Sequence, residues 1–207
     1  MTAFVTDAGG GRWNLPAPLA WRLEYTAGVP CDSFWMLCGW DGENAARPGD
    51  WVGFQAEQGG ERVFTGLVDE CEVSVDRRGR LLEISGRGMA ARLLDNEALG
   101  QDYQFATQAD IVRNHVTPYG IALAPGGNLP PVPRFSVSAG SSEWSVVYDF
   151  ARYYGGVAPR FDRRGRLVLS GWDDSRERVV DDSSPLISLV RRDRRYGVLS
   201  QVLVRDR

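Results

Sequence analysis

The sequence contains no lysine, and all 24 basic residues among its 207 are arginine. This absence excludes a Schiff-base lysine and the lysine of a phosphate-binding P-loop. Histidine occurs once, at His115, which excludes a multi-histidine zinc site and allows a Ser-His-Asp triad only if His115 serves in it. The three cysteines lack the spacing of a metal site, so reduced thiols in a cytosolic setting are expected.

Long apolar runs are also missing from the chain. None approaches the roughly 18 residues that a membrane span needs, and residues 1–13 lack the basic and apolar segments of an export signal. We therefore expect a soluble protein without an export signal. Hydrophobic residues make up 43% and charged residues 25%, which excludes wholesale disorder, collagen and coiled coil.

The net charge of −3 is unevenly distributed. Residues 1–159 carry a net −7, whereas residues 160–207 carry a net +4. A basic quarter can bind nucleic acid, but here aspartates interrupt the arginines, which favours a solvated face with ion pairs. Both interpretations stay open.

The first ninety residues predict a series of short strands, because apolar and polar side chains alternate along them. Trp21, Leu23 and Tyr25 share one face of the first of these strands. Gly59-Gly60 is a predicted turn between two later ones. The strands are predicted at 20–25, 31–40, 51–57, 62–75 and 80–86. Such spacing indicates a small antiparallel barrel, since a closed barrel leaves no exposed sheet edge.

Helical periodicity begins after these strands. A short helix is predicted within 86–98, and Thr107 with Asp110 three residues later predicts the start of a second. Ser142 is the predicted cap of a third helix, which ends at Gly155-Gly156. A hairpin follows over residues 157–171, and its DRRGRL sequence repeats residues 76–81, which predicts the same glycine-containing turn twice.

The pattern predicts a β-rich α+β protein, in which a small antiparallel β-barrel precedes a small α/β module. Within it we distinguish a flexible N-terminus, a barrel, the α/β module and a C-terminal segment with strands of an incomplete second barrel. Their predicted bounds are 1–14, 15–98, 99–180 and 181–207.

No catalytic, cofactor-binding or metal-ligating residues are predicted, and we expect the protein not to be an enzyme. Glu70 and Glu72 share a strand face and could imitate the carboxylate pair of a glycosidase. Neighbours on one strand face are more often its solvent side. His115, alone on a helix, is more often packed or exposed than catalytic.

Tryptophan gives the first indication of a binding surface, since five of the seven lie within the first 51 residues. Trp21 and Trp51 are predicted in the core. Trp35 lies on the strand face opposite Phe34 and Met36, so one of these faces is expected to meet a partner. The interface candidates are Trp35, Trp40, Arg77, Arg78, Arg163, Arg164, Arg191 and Arg192.

Several motifs follow one another in an order that carries further information. SFWMLC is followed by PGDWVGF, VFTGLVDECEVSV and LLEISGRGMAARLLDNEA, then by TQADIVRNHVTPYGI, EWSVVYDFARYYGGV and FDRRGRLVLSG. Over residues 20–200 this order resembles the baseplate hub proteins of contractile phage tails, the Mu-like and defective-prophage tail protein family.

The resemblance implies two related barrels with an α/β module between them, assembled as a homotrimer. Its paired barrels would form a pseudo-sixfold ring that adapts the tail tube to the central spike. The implied partners are the spike, tail tube and tape-measure proteins, and the implied location is the virion, after assembly in the bacterial cytoplasm. Members of that family are usually longer by about one barrel, so a fragment or a truncated relative is expected.

Other functions remain open beside this one. Exposed tryptophans on a barrel could stack on cell-wall sugars, and the arginine-rich C-terminal quarter could bind nucleic acid. A hydrolase built on Glu70 and Glu72 is the third alternative.

Overall fold

The computed structural model describes residues 1–26, 31–42, 47–77, 79–172 and 179. The chain divides after Gly171, and the described residues other than 172 and 179 belong to the first part. The predicted C-terminal strand segment, 181–207, therefore lies outside the described residues.

Seven antiparallel strands form the main sheet, in the order β2-β1-β5-β6-β7-β4-β3. They are β1 Thr2–Asp7, β2 Arg12–Asn14, β3 Pro18–Glu24, β4 Ser33–Gly39, β5 Trp51–Gln58, β6 Glu61–Asp76 and β7 Gly79–Gly88. Gly59 and Gly60 both have positive φ, which lets β5 turn tightly into β6. The predicted β-rich class is confirmed.

The sheet curls around one hydrophobic core. Trp40 follows β4 and Trp51 begins β5, and two strands lie between β4 and β5 in the sheet, yet the two rings meet edge to face with centroids 5.7 Å apart. Among the described residues, β2 pairs only with β1 and β3 only with β4. The core residues are Ala3, Val5, Leu15, Phe34, Met36, Cys38, Trp40, Trp51, Phe54, Ala56, Phe64, Leu82 and Ile84.

Residues 1–14 form part of this sheet, which corrects the expectation of a flexible N-terminus. Strand β1 pairs with β5 along its length and with β2 on its other side. Ala3 and Val5 are fully buried, and their apolar area stabilises β1 in its place.

The prediction that Trp21 belongs to the core is wrong, whereas Trp51 is buried as predicted. Trp21 lies opposite Met36, so it is on the core side of the sheet, but 46% of it is exposed. The reason is its position on β3, the outermost strand, where the core no longer covers the inner face. Trp51 is 4% exposed on the inner strand β5.

The helices and two short strand pairs form the second half of the described chain. They are α1 Ala91–Leu94, β8 Gln101–Ala106, α2 Gln108–His115, β9 Val132–Val137, α3 Glu143–Asp149, β10 Arg160–Phe161 and β11 Leu167–Val168. β8 pairs with β9 and β10 with β11, both antiparallel. A second core lies here, with Leu93, Ile111, Phe135, Val147 and Phe150 among its buried residues.

The predicted helix starts are confirmed by their capping bonds. The Thr107 hydroxyl accepts a hydrogen bond from the Asp110 backbone N–H, and the Asp110 carboxylate accepts one from the Thr107 backbone N–H. Ser142 caps α3 in the same way by accepting from the Ser145 backbone N–H. The helix predicted within 86–98 shortens to one turn, because β7 continues to Gly88.

Candidate interaction surface

Trp35 lies on the outer face of the sheet and is held there by a hydrogen bond. Its indole Nε1 donates to the Glu83 carboxylate on neighbouring β7 at 2.6 Å. The side chain is half-buried, so part of the ring remains on the surface with a fixed orientation. This geometry suits an interface anchor, since a fixed aromatic ring loses little entropy on binding.

Trp40 is in the core and not on the surface. It is 7% exposed and packs against Trp51. Because Trp40 is buried, a partner cannot contact its side chain on the surface of this chain. The Nε1 of Trp51 is buried without a hydrogen-bond partner in the described structure.

The two DRRG turns differ in their surroundings. Gly79 and Gly165 both have positive φ, as the repeated sequence predicted. In the turn between β6 and β7, Arg77 is exposed and a Cβ at Gly79 would meet nothing within 4 Å. In the turn between β10 and β11, a Cβ at Gly165 would come within 2.6 Å of Met89 Cγ, so this turn is docked on the chain.

The arginines of the docked turn remain accessible. Arg163 and Arg164 are both exposed, and the Thr65 hydroxyl donates to the Arg163 carbonyl oxygen at 3.1 Å. The guanidinium of Arg163 also lies over the ring of Tyr25, 6.0 Å from its centroid. The remaining three candidates, Arg78, Arg191 and Arg192, lie outside the described residues.

Sequence reasoning missed several exposed apolar side chains. Leu19 on β3 is 67% exposed because a bulge breaks the register of β3 with β4. Phe105 on β8 and Tyr153 after α3 are 58% and 75% exposed. No local signal marks them, because their exposure depends on which strands and helices cover one another.

A buried polar network surrounds the single histidine. His115 Nδ1 lies 2.6 Å from Glu143 Oε2, and His115 Nε2 lies 2.8 Å from the Tyr103 hydroxyl. Tyr119 donates to Glu143 Oε1 at 2.8 Å, and Asn114 donates to the Tyr103 oxygen at 2.9 Å. A neutral histidine with its proton on Nδ1 satisfies all these bonds, because Tyr103 then donates to Nε2 and Glu143 accepts twice.

This network joins α2 to α3 within the second core. His115 is 3% and Glu143 is 6% exposed, and buried polar groups of this kind are stable only with their partners. The hydrogen bond to Glu143 raises the pKa of Tyr119, since it holds the phenol in its protonated form. The sequence placed His115 on a helix, but nothing in it indicated Glu143, which lies 28 residues away.

The other titratable groups that the sequence singled out are separated from this network. Glu70 and Glu72 are exposed on the part of β6 beyond β5. Burial raises the pKa of the Cys38 and Cys71 thiols to about 11, which keeps them in the weakly nucleophilic protonated form at neutral pH. Within the described ranges, no three His, Cys, Asp or Glu side chains gather as a metal site.

The comparisons with known proteins identify a shared fold. No family model and no curated protein matches the chain. The solved 43 kDa tail protein of prophage MuSo2 from Shewanella oneidensis is 20% identical, with a TM-score of 0.63 over 81% of this chain. The tail protein from Neisseria meningitidis MC58 is also 20% identical, with a TM-score of 0.68 over 89% of this chain. The chain has the fold of these tail proteins.

The chain spans only part of each of these two solved structures. It covers 53% of the Shewanella oneidensis protein and 56% of the Neisseria meningitidis protein. No helix in the described part of the chain has the length and apolar character to cross a membrane.

Proposed function

We propose that this chain is a structural component of a phage or prophage tail. The observation that carries the proposal is the fold shared with two tail proteins over 81% and 89% of the chain. A fold alone does not fix function. The order of the motifs from SFWMLC to FDRRGRLVLSG supports the proposal independently, because this order resembles that of hub proteins. A structural role also needs no catalytic centre, so the protein is proposed not to be an enzyme.

Within the tail, the proposed position is the baseplate hub between the tail tube and the central spike. The curled sheet of β1–β7 would be the counterpart of the first hub barrel, and the part from α1 to β11 that of the α/β module. A second barrel would come from sequence beyond these residues. The assembly is proposed to be a homotrimer in the virion of a contractile tail, in contact with spike, tube and tape-measure proteins.

The test is assembly with a spike protein encoded beside this chain. Light scattering on the mixture, compared with each protein alone, should show a complex containing three copies of this chain. Trp35→Ala should weaken the complex, since the half-buried ring is on the outer face of the sheet. Trp21→Ala is the matched control, because it removes an exposed tryptophan from the other face.

Two outcomes would argue against the hub position. One is a chain that stays monomeric and binds none of the spike, tube or tape-measure proteins encoded nearby. The other is a complex that Trp21→Ala weakens and Trp35→Ala leaves intact, which would place the contact on the inner face of β3.

A carbohydrate-binding role is the second candidate, favoured by the exposure of Trp21. An exposed indole on an outer strand can stack on a sugar ring. Titration with cell-wall oligosaccharides should then change the tryptophan fluorescence, and Trp21→Ala should abolish that change. No change with any oligosaccharide of the panel would exclude this role.

A further inference from the structure

A cleft lined by arginines lies between the β10–β11 turn and the turn that joins β5 to β6. Its volume is about 410 Å³. The lining residues are Gly60, Glu61, Arg62, Asp162, Arg163, Arg164 and Arg166. Four arginines and two acidic residues therefore line one small space.

The wall formed by the β10–β11 turn is held in place by hydrogen bonds and packing. Asp162 Oδ1 accepts hydrogen bonds from the backbone N–H groups of Arg164 and Arg166, both at 2.9 Å. Thr65 holds the Arg163 carbonyl, and Gly165 is buried against Met89. The backbone that carries these arginines is thus fixed before any partner binds, which lowers the entropic cost of binding.

The arginines of the cleft differ in their partners. Arg62 pairs with Glu57 at 3.1 Å, and Arg166 pairs with Asp162 at 2.7 Å. Arg163 and Arg164 have no carboxylate partner among the described residues. Two guanidinium groups on a fixed turn therefore remain available for an external anion.

The size and charge of the cleft favour carboxylates of a protein over nucleic acid. A guanidinium binds a carboxylate through two parallel hydrogen bonds, so two arginines suit two acidic side chains. Nucleic acid is held by a longer track of phosphate contacts. The carboxylates of Glu61 and Asp162 in the lining repel any anion, so the cleft suits a few carboxylates that reach Arg163 and Arg164 and not a continuous chain of phosphates.

We propose that this cleft binds an acidic segment of a partner protein, whose carboxylates pair with Arg163 and Arg164. This proposal is argued from the geometry and charge of the cleft and does not depend on the proposed role in a phage tail. Both arginines are exposed and their side chains make no ion pair in the described structure. The Arg163 guanidinium lies 6.0 Å from the centroid of the Tyr25 ring, a weak contact at an exposed site, so we expect replacement of both arginines to leave the fold intact.

The test uses a fluorescein-labelled octaglutamate peptide and its octaglutamine counterpart, measured by fluorescence anisotropy at low salt. The full chain should bind octaglutamate and not octaglutamine. The double variant R163Q/R164Q should lose affinity by about tenfold or more, since it removes charge-assisted hydrogen bonds. The matched control is R77Q/R78Q, which makes the same charge change in the same DRRG sequence of the β6–β7 turn and should bind normally.

Three results would overturn the proposal. The first is no octaglutamate binding by the unmodified chain. The second is equal weakening by both double variants, which would indicate the net charge of the chain and no specific site. The third is stronger binding of a duplex oligonucleotide that depends on Arg163 and Arg164. None of these results affects spike assembly, so the failure of this site and the failure of the hub proposal are distinguishable.

Discussion

The rings of Phe34 and Phe54 stack with their centroids 3.8 Å apart and their planes 4° from parallel. Phe34 is on β4 and Phe54 on β5, and two strands separate them in the sheet. In a flat sheet three strand spacings would hold them about 14 Å apart. The stack therefore measures how strongly the sheet curls, and it places these two rings at the centre of the first core.

Phe54→Ala is expected to be strongly destabilising. Phe54 is 1% exposed, and removing a buried phenylalanine ring typically costs about 3–5 kcal/mol through lost burial and the cavity left behind. Urea unfolding followed by tryptophan fluorescence measures the change. Val52→Ala on the same strand is the control, because Val52 is 41% exposed and should cost far less. Equal losses in the two variants would contradict the placement of the core.

Tyr119→Phe is expected to reduce the free energy of unfolding by about 1 kcal/mol, the net value of one hydrogen bond to Glu143. The pKa of Tyr119 is raised in the folded state. Its contribution is therefore present below the ordinary tyrosine pKa, near 10, and is lost as the pH rises through the folded value. The difference between the two proteins should shrink above pH 10 in urea unfolding.

The control for this prediction is Tyr148→Phe. The ring of Tyr148 packs near Trp144, with centroids 6.3 Å apart, and its hydroxyl makes no hydrogen bond in the described structure. This variant should keep the stability of the original chain at each pH. A Tyr119→Phe difference that stayed constant well above pH 10 would be inconsistent with the bond to Glu143.

Gly165→Ala and Gly79→Ala, in the two copies of the repeated DRRG sequence, should separate the cost of a positive φ from the cost of overpacking. Both place a side chain at positive φ, which costs roughly 1–2 kcal/mol. Only at Gly165 does the new methyl group also meet Met89 and Thr65, and overpacking adds about 1–3 kcal/mol. Thermal unfolding should rank Gly165→Ala as the less stable variant. The reverse order would mean that the second turn is not docked.

Arg87→Lys tests how much the paired hydrogen bonds of an arginine on the outer face of the sheet contribute to stability. The Arg87 guanidinium donates to both oxygens of Asp69 and to both oxygens of Asp95, at 2.8–3.0 Å. A lysine ammonium cannot make both paired contacts. Because these side chains are 37–53% exposed, solvent screening limits the expected loss to roughly 1 kcal/mol.

The pH dependence of this loss provides an internal check. The bonds to Arg87 lower the pKa of Asp95. The stabilisation is therefore present above the ordinary aspartate pKa, near 4, and is lost as the pH falls through the folded value. The original chain and Arg87→Lys should converge in acid. Arg22→Lys, on a side chain that is 72% exposed, should be neutral at every pH.

Local chemistry explains what the sequence could predict. The caps at Thr107 and Ser142 depend on residues three positions away, and the turn glycines depend on their own φ. The exposure of Trp21 depends instead on the order of the strands, which alternation along one strand does not contain. The pair of His115 and Glu143 likewise needs the packing of α2 on α3. The DRRG sequence occurs in both turns, but only the second turn packs against the rest of the chain. The sequence of the turn therefore could not predict this packing.

Strand β6 has two different environments along one continuous backbone. Gly66 and Leu67 pair with both β5 and β7, whereas among the described strands residues 61–65 pair only with β5 and residues 68–76 only with β7. In such an outer stretch every second amide points away from the neighbour and towards water. Deuterium should therefore enter residues 68–76 in an alternating pattern without any unfolding, while the amides of Gly66 and Leu67, which lie between two strands, exchange slowly. A partner that adds a strand at this edge would slow the fast-exchanging half of these amides and leave the others unchanged.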